Sequence, residues 1–371
     1  MDTIHENSIH AISAIQRSFN DQKNLMFLLS NIFDPRYAFL FYAPLIFSFD
    51  RITGRKLMWV TVVAEWSNQI LKWLMRGERP YWWVHEFAGQ SSINGVSKNL
   101  PPIQQTFMTC ETGPGSPSGH SMVTAAVWYI LVEAMLKRMG KNLHGSKSSL
   151  LNSICWAIYT FVLCCVSLSR IYLAAHFPHQ CLLGMGMGVA VAILISNLNT
   201  DRIKLNGYVY GTLAMFASAI LTYILLLSMG FNPLWSVERA LKWCAKREHV
   251  HLDTTPFFSM MRYTGFFLGM GLGLHSTFYR AISSIQFSTT MKLVTAALSI
   301  MVSKLIEKIP ISSDVLNVNV IYAIVFLQSL MLPYFFVAIV PYIVARMHPT
   351  KSIEALRNQD SNNNSIRLKA N

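Results

Sequence analysis

Apolar residues run through this chain in stretches of about 18 to 25 that recur from one end to the other, separated by short polar segments. That length lets an α-helix cross a hydrocarbon layer of roughly 30 Å, whereas a membrane barrel would show short alternating segments. The pattern predicts spans at about 57–75, 120–136, 150–168, 179–197, 207–229, 257–275, 292–309 and 318–345, with one more inside 25–48, making nine. Within 25–48 the triplet Asp34-Pro35-Arg36 interrupts the apolar run. Either the span begins after it, or Asp34 faces the bundle interior, where ionisable groups at membrane depth are often functional. Upstream, Ile9, Ile12, Ile15 and Phe19 stand at near-helical spacing. They predict an amphipathic helix over 3–20, either lying on a membrane surface or packing on the protein. The expected fold is all-α: a polytopic helical membrane bundle, one domain over 1–346, with a disordered tail over 347–371.

Composition agrees, with 52% hydrophobic and only 13% charged residues. A net charge of +13 raises nucleic acid as a partner. The basic residues, however, fall in short connections between spans, where they report orientation. Arg51, Arg55 and Lys56, then Lys137, Arg138, Lys141 and Lys147, then Arg202 and Lys204, and finally the tail from Arg346 to Lys369 all lie on one side. The positive-inside rule makes that side cytoplasmic and puts the N-terminus and the loops at 76–119 and 230–256 on the far side. The sequon Asn363-Asn364-Ser365 would then stay unmodified. No cleavable signal peptide is visible, since Asp2, Glu6 and Arg17 interrupt any apolar start. The six cysteines show no metal spacing. Cys110 and Cys244 share a compartment, and two free thiols are expected there, with a disulfide as the alternative.

This topology gathers unusual charges at one membrane face. Lys72 and Arg79 close the second span, Pro117-Ser118-Gly119-His120 opens the third, Ser169-Arg170 ends the fourth and His176 precedes the fifth. Cations meeting at helix ends lose hydration and repel one another, which stabilises no bundle. They suit a phosphoryl group: Lys72, Arg79 and Arg170 supply charge and forked donors, and the amides near Ser118 and Gly119 supply dipoles at a helix start. With no Cys or Asp in a phosphatase loop, the two histidines are left as nucleophile and acid. Tyr81, Trp82 and Trp83 either stack on a sugar or form an interfacial belt. His179 either lines a sugar pocket or packs.

Lys72-x6-Arg79-Pro80, Pro117-Ser118-Gly119-His120 and Ser169-Arg170-x5-His176 together resemble the three-part signature of the type 2 phosphatidic acid phosphatase and vanadium haloperoxidase superfamily. Arg79 to Val84, Cys110 to His120, Leu168 to Gln180 and His251 to Phe257 narrow the resemblance to the glucose-6-phosphatase catalytic subunit family, over about residues 25 to 345. The resemblance implies hydrolysis of glucose 6-phosphate at the lumenal face of the endoplasmic reticulum membrane, without metal or cofactor, through a phosphohistidine. It implies His176 as nucleophile, His120 as acid, and Lys72, Arg79, Ser118, Gly119 and Arg170 as phosphate ligands. A separate glucose 6-phosphate transporter and the surrounding lipid are the implied partners. The alternatives are a lipid phosphate phosphatase and a weakly active regulatory paralogue. Where the broad superfamily has an Asp orienting the nucleophile, this chain has Gln180, as in the glucose-6-phosphatase branch. A second acid is therefore expected to help His176, and Asp34 is the candidate. Arg262-Tyr263 replaces the Lys-Asn of some members, which leaves sugar contacts and the choice of paralogue open.

Overall fold

The structure is a computed structural model that describes residues 2–93, 100–139, 146–309 and 317–347. The expected tail, its sequon and Lys141 lie outside the described residues. In chain order the helices are α1 (Asp2–Ser18), α2 (Lys23–Ile32), α3 (Pro35–Tyr37), α4 (Ala43–Phe49), α5 (Arg51–Met75), α6 (Pro80–Ile93), α7 (Gly119–Met139) and α8 (Ser146–Tyr172). They continue with α9 (Pro178–Ser196), α10 (Leu205–Ser228), α11 (Trp235–Trp243), α12 (Pro256–His275), α13 (Thr277–Ile282), α14 (Thr289–Glu307), α15 (Val318–Tyr334) and α16 (Val340–Met347). Among the described residues the only β pairing is a single bridge, between Glu111 and His251. The all-α expectation therefore stands.

Six helical segments among the described residues are long and apolar enough to cross a membrane: α7, Ser148–Tyr172 of α8, α9, α10, α14, and the continuous run Val318–Met347. The other three expected spans are helical but fall short for visible reasons. Residues 25–48 break into α2, α3, a π-helical turn at Ala38–Tyr42 and α4. Helix α5 carries Arg51, Arg55, Lys56, Glu65 and Lys72, and α12 is diluted by Arg262 and four glycines.

The chain forms two compact units. The first holds the described residues up to Tyr37, within 60–198 and within 216–260. Here α9 lies against α7 through glycine: a Cβ on Gly188 would stand 2.2 Å from the Met122 carbonyl oxygen, and one on Gly184 would stand 2.6 Å from that of Ser118. This is the small-residue contact that lets membrane helices approach closely. Helix α1 is a packing helix. Ile9 and Ile12 are fully buried in a cluster with Tyr81, Trp82, Trp83 and Phe177, and Gln16 Nε2 donates to the Tyr172 carbonyl at 2.7 Å. The three aromatics at 81–83 are thus core, neither a belt nor a sugar platform. Cys110 and Cys244 are joined by a disulfide, which corrects the expectation of free thiols. The same loop is held further by His251 N–H to the Cys110 carbonyl, 3.1 Å, and by Thr112 Oγ1 to the His251 carbonyl, 3.0 Å.

The second unit holds the described residues within 38–59, 199–215 and from 261 onward. Asp50 caps α5 by accepting from the amides of Ile52 and Thr53 at 3.0 and 3.2 Å. Arg51 donates to the carbonyls of Ile282 and Ser283, and Arg55 pairs with Asp201 at 2.7 Å. Helix α14 packs on α4 and α16.

Closing the loop from 110 to 244 should stabilise the fold by roughly 2–5 kcal/mol. Cys244→Ser is expected to lower the thermal-unfolding midpoint. Alkylation of unreduced, denatured protein should leave Cys110 and Cys244 unlabelled, and labelling of all six cysteines would show the bridge absent.

Candidate active site

The first unit brings the expected charges to one point. Arg79 ends the segment before α6, where Pro80 starts the helix without needing an amide donor. Arg170 lies in the last turn of α8, and His176 in the short link before α9. The two arginine side chains are 0% and 1% exposed and converge on one carboxylate, that of Glu111. Arg79 Nη2 meets Glu111 Oε2 at 2.9 Å, and Arg170 Nη2 pairs with Oε1. The remaining donors are largely engaged. Arg79 Nε and Nη1 donate to the carbonyls of Gly113 and Ala175 at 2.7 and 2.9 Å, and Arg170 Nη1 donates to Ser30 Oγ at 2.7 Å. Burial opposes ionisation of Glu111, but Arg170 and Arg79 outweigh it and hold the carboxyl well below the usual carboxylate range.

His176 is completely buried. Its Nδ1 lies 2.7 Å from the Gly115 carbonyl oxygen, which can only accept, so the proton belongs on Nδ1 and the lone pair on Nε2. Burial first, and the Arg79 guanidinium after it, keep the imidazolium well below the ordinary histidine range. Nε2 accepts from Arg79 Nη1 at 3.4 Å and lies 3.7 Å from Glu111 Oε2. Gln180 Oε1 stands 3.4 Å from Nδ1, farther than the Gly115 oxygen. The Gln180 side chain spends its bonds on the backbone instead, accepting from the Phe177 amide at 3.1 Å and donating to the Glu78 carbonyl at 2.6 Å.

His120 faces the same carboxylate from the first turn of α7, with Nδ1 3.9 Å from Glu111 Oε1. Its Nε2 is 3.9 Å from Asp34 Oδ2. Asp34, turned inward by the break after α2, is gripped by Arg36 at 3.0 and 3.1 Å. The acid expected to assist His176 thus stands beside the other histidine. Lys72 completes the ring of cations, its Nζ 3.6 Å from where a Cβ on Gly113 would be.

Other expected ligands are placed differently. The Ser118 amide already donates to the Gln180 carbonyl at 3.0 Å, and its hydroxyl receives Ser121 Oγ–H at 3.2 Å. That leaves the first-turn amides of Gly119 and His120 as the helix-end donors. His179 does not reach the carboxylate; its ring stacks with those of His5 and Phe177 at 5.5 and 5.7 Å.

Residues 53–204 match the PAP2 superfamily. Over nearly its full length the chain is similar to glucose-6-phosphatase catalytic subunit 1 of Rattus norvegicus, 36% identical over 353 residues, covering 94% of this chain and 96% of the relative. The Mus musculus protein of the same name is 37% identical with the same coverage. Glucose-6-phosphatase 2 of Homo sapiens is 33% identical over 357 residues, covering 93% and 97%. The chain belongs to the glucose-6-phosphatase family. No solved structure matches it.

In this glucose-6-phosphatase family member the motif histidines and arginines lie around Glu111 and the Gly115 carbonyl, to which the motifs assign no part. A signal for Glu111 was present: it is the one acid in the stretch from Cys110 to His120, and buried arginines require an anion. Removing one partner of such a pair costs about 3–5 kcal/mol, because the other is left buried and uncompensated. Arg170→Ala is accordingly expected to lower the thermal-unfolding midpoint of the purified protein well beyond the effect of Lys137→Ala, which breaks an exposed pair with Glu133.

Proposed function

We propose that this chain hydrolyses glucose 6-phosphate to glucose and phosphate through a phosphohistidine on His176. The observation that carries the proposal is a neutral imidazole whose lone pair faces a carboxylate held between two buried arginines, with a second histidine opposite. In the first step His176 Nε2 forms a bond to phosphorus while the bond from phosphorus to the sugar oxygen breaks, and that oxygen takes a proton from His120. Asp34 stands beside the ring that gives this proton, its Oδ2 3.9 Å from His120 Nε2. In the second step water gives a proton back to His120 as its oxygen bonds to phosphorus and the bond to His176 breaks. Arg79, Arg170 and Lys72 stabilise the charge on the transferring oxygens, and Gly119 presents helix-start dipoles beside them. Ser118 and Gln180 hold the loop and the nucleophile in register, and His179 braces the link that carries His176.

The proposal extends to place and role. The basic loops favour a lumenal site in the endoplasmic reticulum membrane, with a lumenal N-terminus and a cytoplasmic C-terminus, and the Cys110–Cys244 bridge fits an oxidising compartment. Substrate made in the cytosol then requires a glucose 6-phosphate transporter. The product serves gluconeogenesis, glycogenolysis or glucose homeostasis.

Purified protein should release phosphate from glucose 6-phosphate in preference to phosphatidic acid, and radiolabelled substrate should leave an acid-labile label on the wild type. No label is expected on His176→Ala; label retained there would rule out His176 as acceptor. Preference for phosphatidic acid would favour a lipid phosphatase. Because Asp34 lies beside His120, Asp34→Asn should lower kcat by about tenfold, roughly 1.4 kcal/mol in the barrier, with little change in KM. Wild-type turnover in that variant would remove Asp34 from the site.

A further inference from the structure

The Glu111 carboxylate lies where the reaction needs phosphorus to be. A near-attack geometry puts the reacting atoms about 3–3.5 Å apart, and Glu111 Oε2 is already 3.7 Å from the attacking Nε2 of His176. The other carboxylate oxygen is 3.9 Å from the His120 ring. The same two oxygens hold Nη2 of both arginines, whose other donors are mostly committed to the Gly113, Ala175 and Pro114 carbonyls and to Ser30. A phosphoryl group and this carboxylate cannot fill the same space or draw on the same donors together.

We propose that Glu111 is an internal anion that holds the phosphoryl site in the empty enzyme, is displaced by the phosphoryl group of the substrate, and returns to expel product phosphate. The inference rests on the phosphoryl-transfer reading above. Charge makes the exchange feasible: Lys72, Arg79 and Arg170 against one carboxylate leave an excess of two positive charges, which suits a dianion. Geometry limits the exchange to the side chain, because the backbone on either side of Glu111 is tied down. Cys110 is disulfide-bonded to Cys244, the Tyr81 hydroxyl donates to the Glu111 carbonyl at 3.0 Å, and the Thr112 amide donates to Thr254 Oγ1 at 3.1 Å. Rotation about the side chain alone frees both arginines. While it is displaced, the carboxylate competes with phosphate for them, so it weakens product binding. If Glu111 merely oriented the arginines, removing its charge would weaken phosphate binding instead.

The two roles predict opposite signs. Glu111→Gln keeps the shape and an acceptor oxygen but loses the charge, so it should bind inorganic phosphate and orthovanadate on the order of tenfold more tightly than wild type. It should also show a lower KM for glucose 6-phosphate together with a lower kcat. Equal or weaker phosphate binding by folded, disulfide-bonded Glu111→Gln overturns the inference. The wild-type protein supplies a second readout that needs no variant. Carbodiimide coupling at Glu111, read by peptide mass spectrometry, should rise when orthovanadate saturates the site, and unchanged or reduced coupling overturns the inference equally. Loss of the underlying reading looks different: the wild type itself would then neither hydrolyse glucose 6-phosphate nor bind phosphate.

Discussion

Two guanidinium groups brought to one dry point repel each other and forfeit their hydration, so they stay together only with an anion between them. Arg79 and Arg170 are in that position, and Glu111 is that anion. Much of the first unit follows from the need to present this carboxylate. The loop that carries it is fixed by a disulfide on one side and by Thr112 on the other. The carbonyls of Gly113, Pro114 and Ala175, which a buried loop would otherwise leave unpaired, are turned onto Arg79. One side chain thereby satisfies three backbone acceptors and half of an ion pair. That economy explains how a long irregular segment can be buried among membrane helices.

His176, the proposed nucleophile, is oriented in the same way, by backbone. A carboxylate on Nδ1 would favour the imidazolium and hold the ring charged, whereas a carbonyl fixes the tautomer without adding charge. The Gly115 oxygen therefore leaves His176 neutral, and negative charge remains concentrated on Glu111, in front of Nε2. The positive field of the site is thus spent on whichever anion stands between the two histidines. Asp34 does not enter that competition directly, since Arg36 already neutralises it. Its proximity to the His120 ring gives the two histidines different electrostatic surroundings. Two like groups assigned opposite proton roles require such a difference.

How much of this was legible in the sequence depended on the range of the interaction. Helical periodicity and apolar length are local, so the helices and the amphipathic segment at 3–20 were readable; that Ile9 and Ile12 face Tyr81 and Phe177 rather than lipid was not. Lys72, Arg79, His120, Arg170 and His176 were readable because a cation or a histidine at a span end has few structural uses. Glu111 was hidden because an acid in a polar loop is ordinary until two distant arginines are known to meet it. Asp34 stands beside His120 and not His176, because distance along the chain says nothing about which ring a side chain faces. The Cys110–Cys244 bridge was legible only as an alternative for the same reason: a shared compartment permits a pair, and only the fold brings two sulfurs together.

Gly115 shows how tightly these elements depend on one another. A Cβ there would lie 2.3 Å from the Glu78 carbonyl oxygen and 2.9 Å from Gln180 Oε1, closer than unbonded atoms approach. The Glu78 carbonyl is the acceptor for Gln180 Nε2, and Gln180 Oε1 in turn holds the Phe177 amide next to His176. The Gly115 amide itself donates to the Gly77 carbonyl at 2.7 Å. Any side chain at 115 would separate the loop from the start of α6 and from the link before α9 at once, and would draw the Gly115 oxygen away from His176 Nδ1. The tautomer of His176, the position of Arg79 and the seat of Glu111 therefore rest on one backbone contact, which only glycine permits.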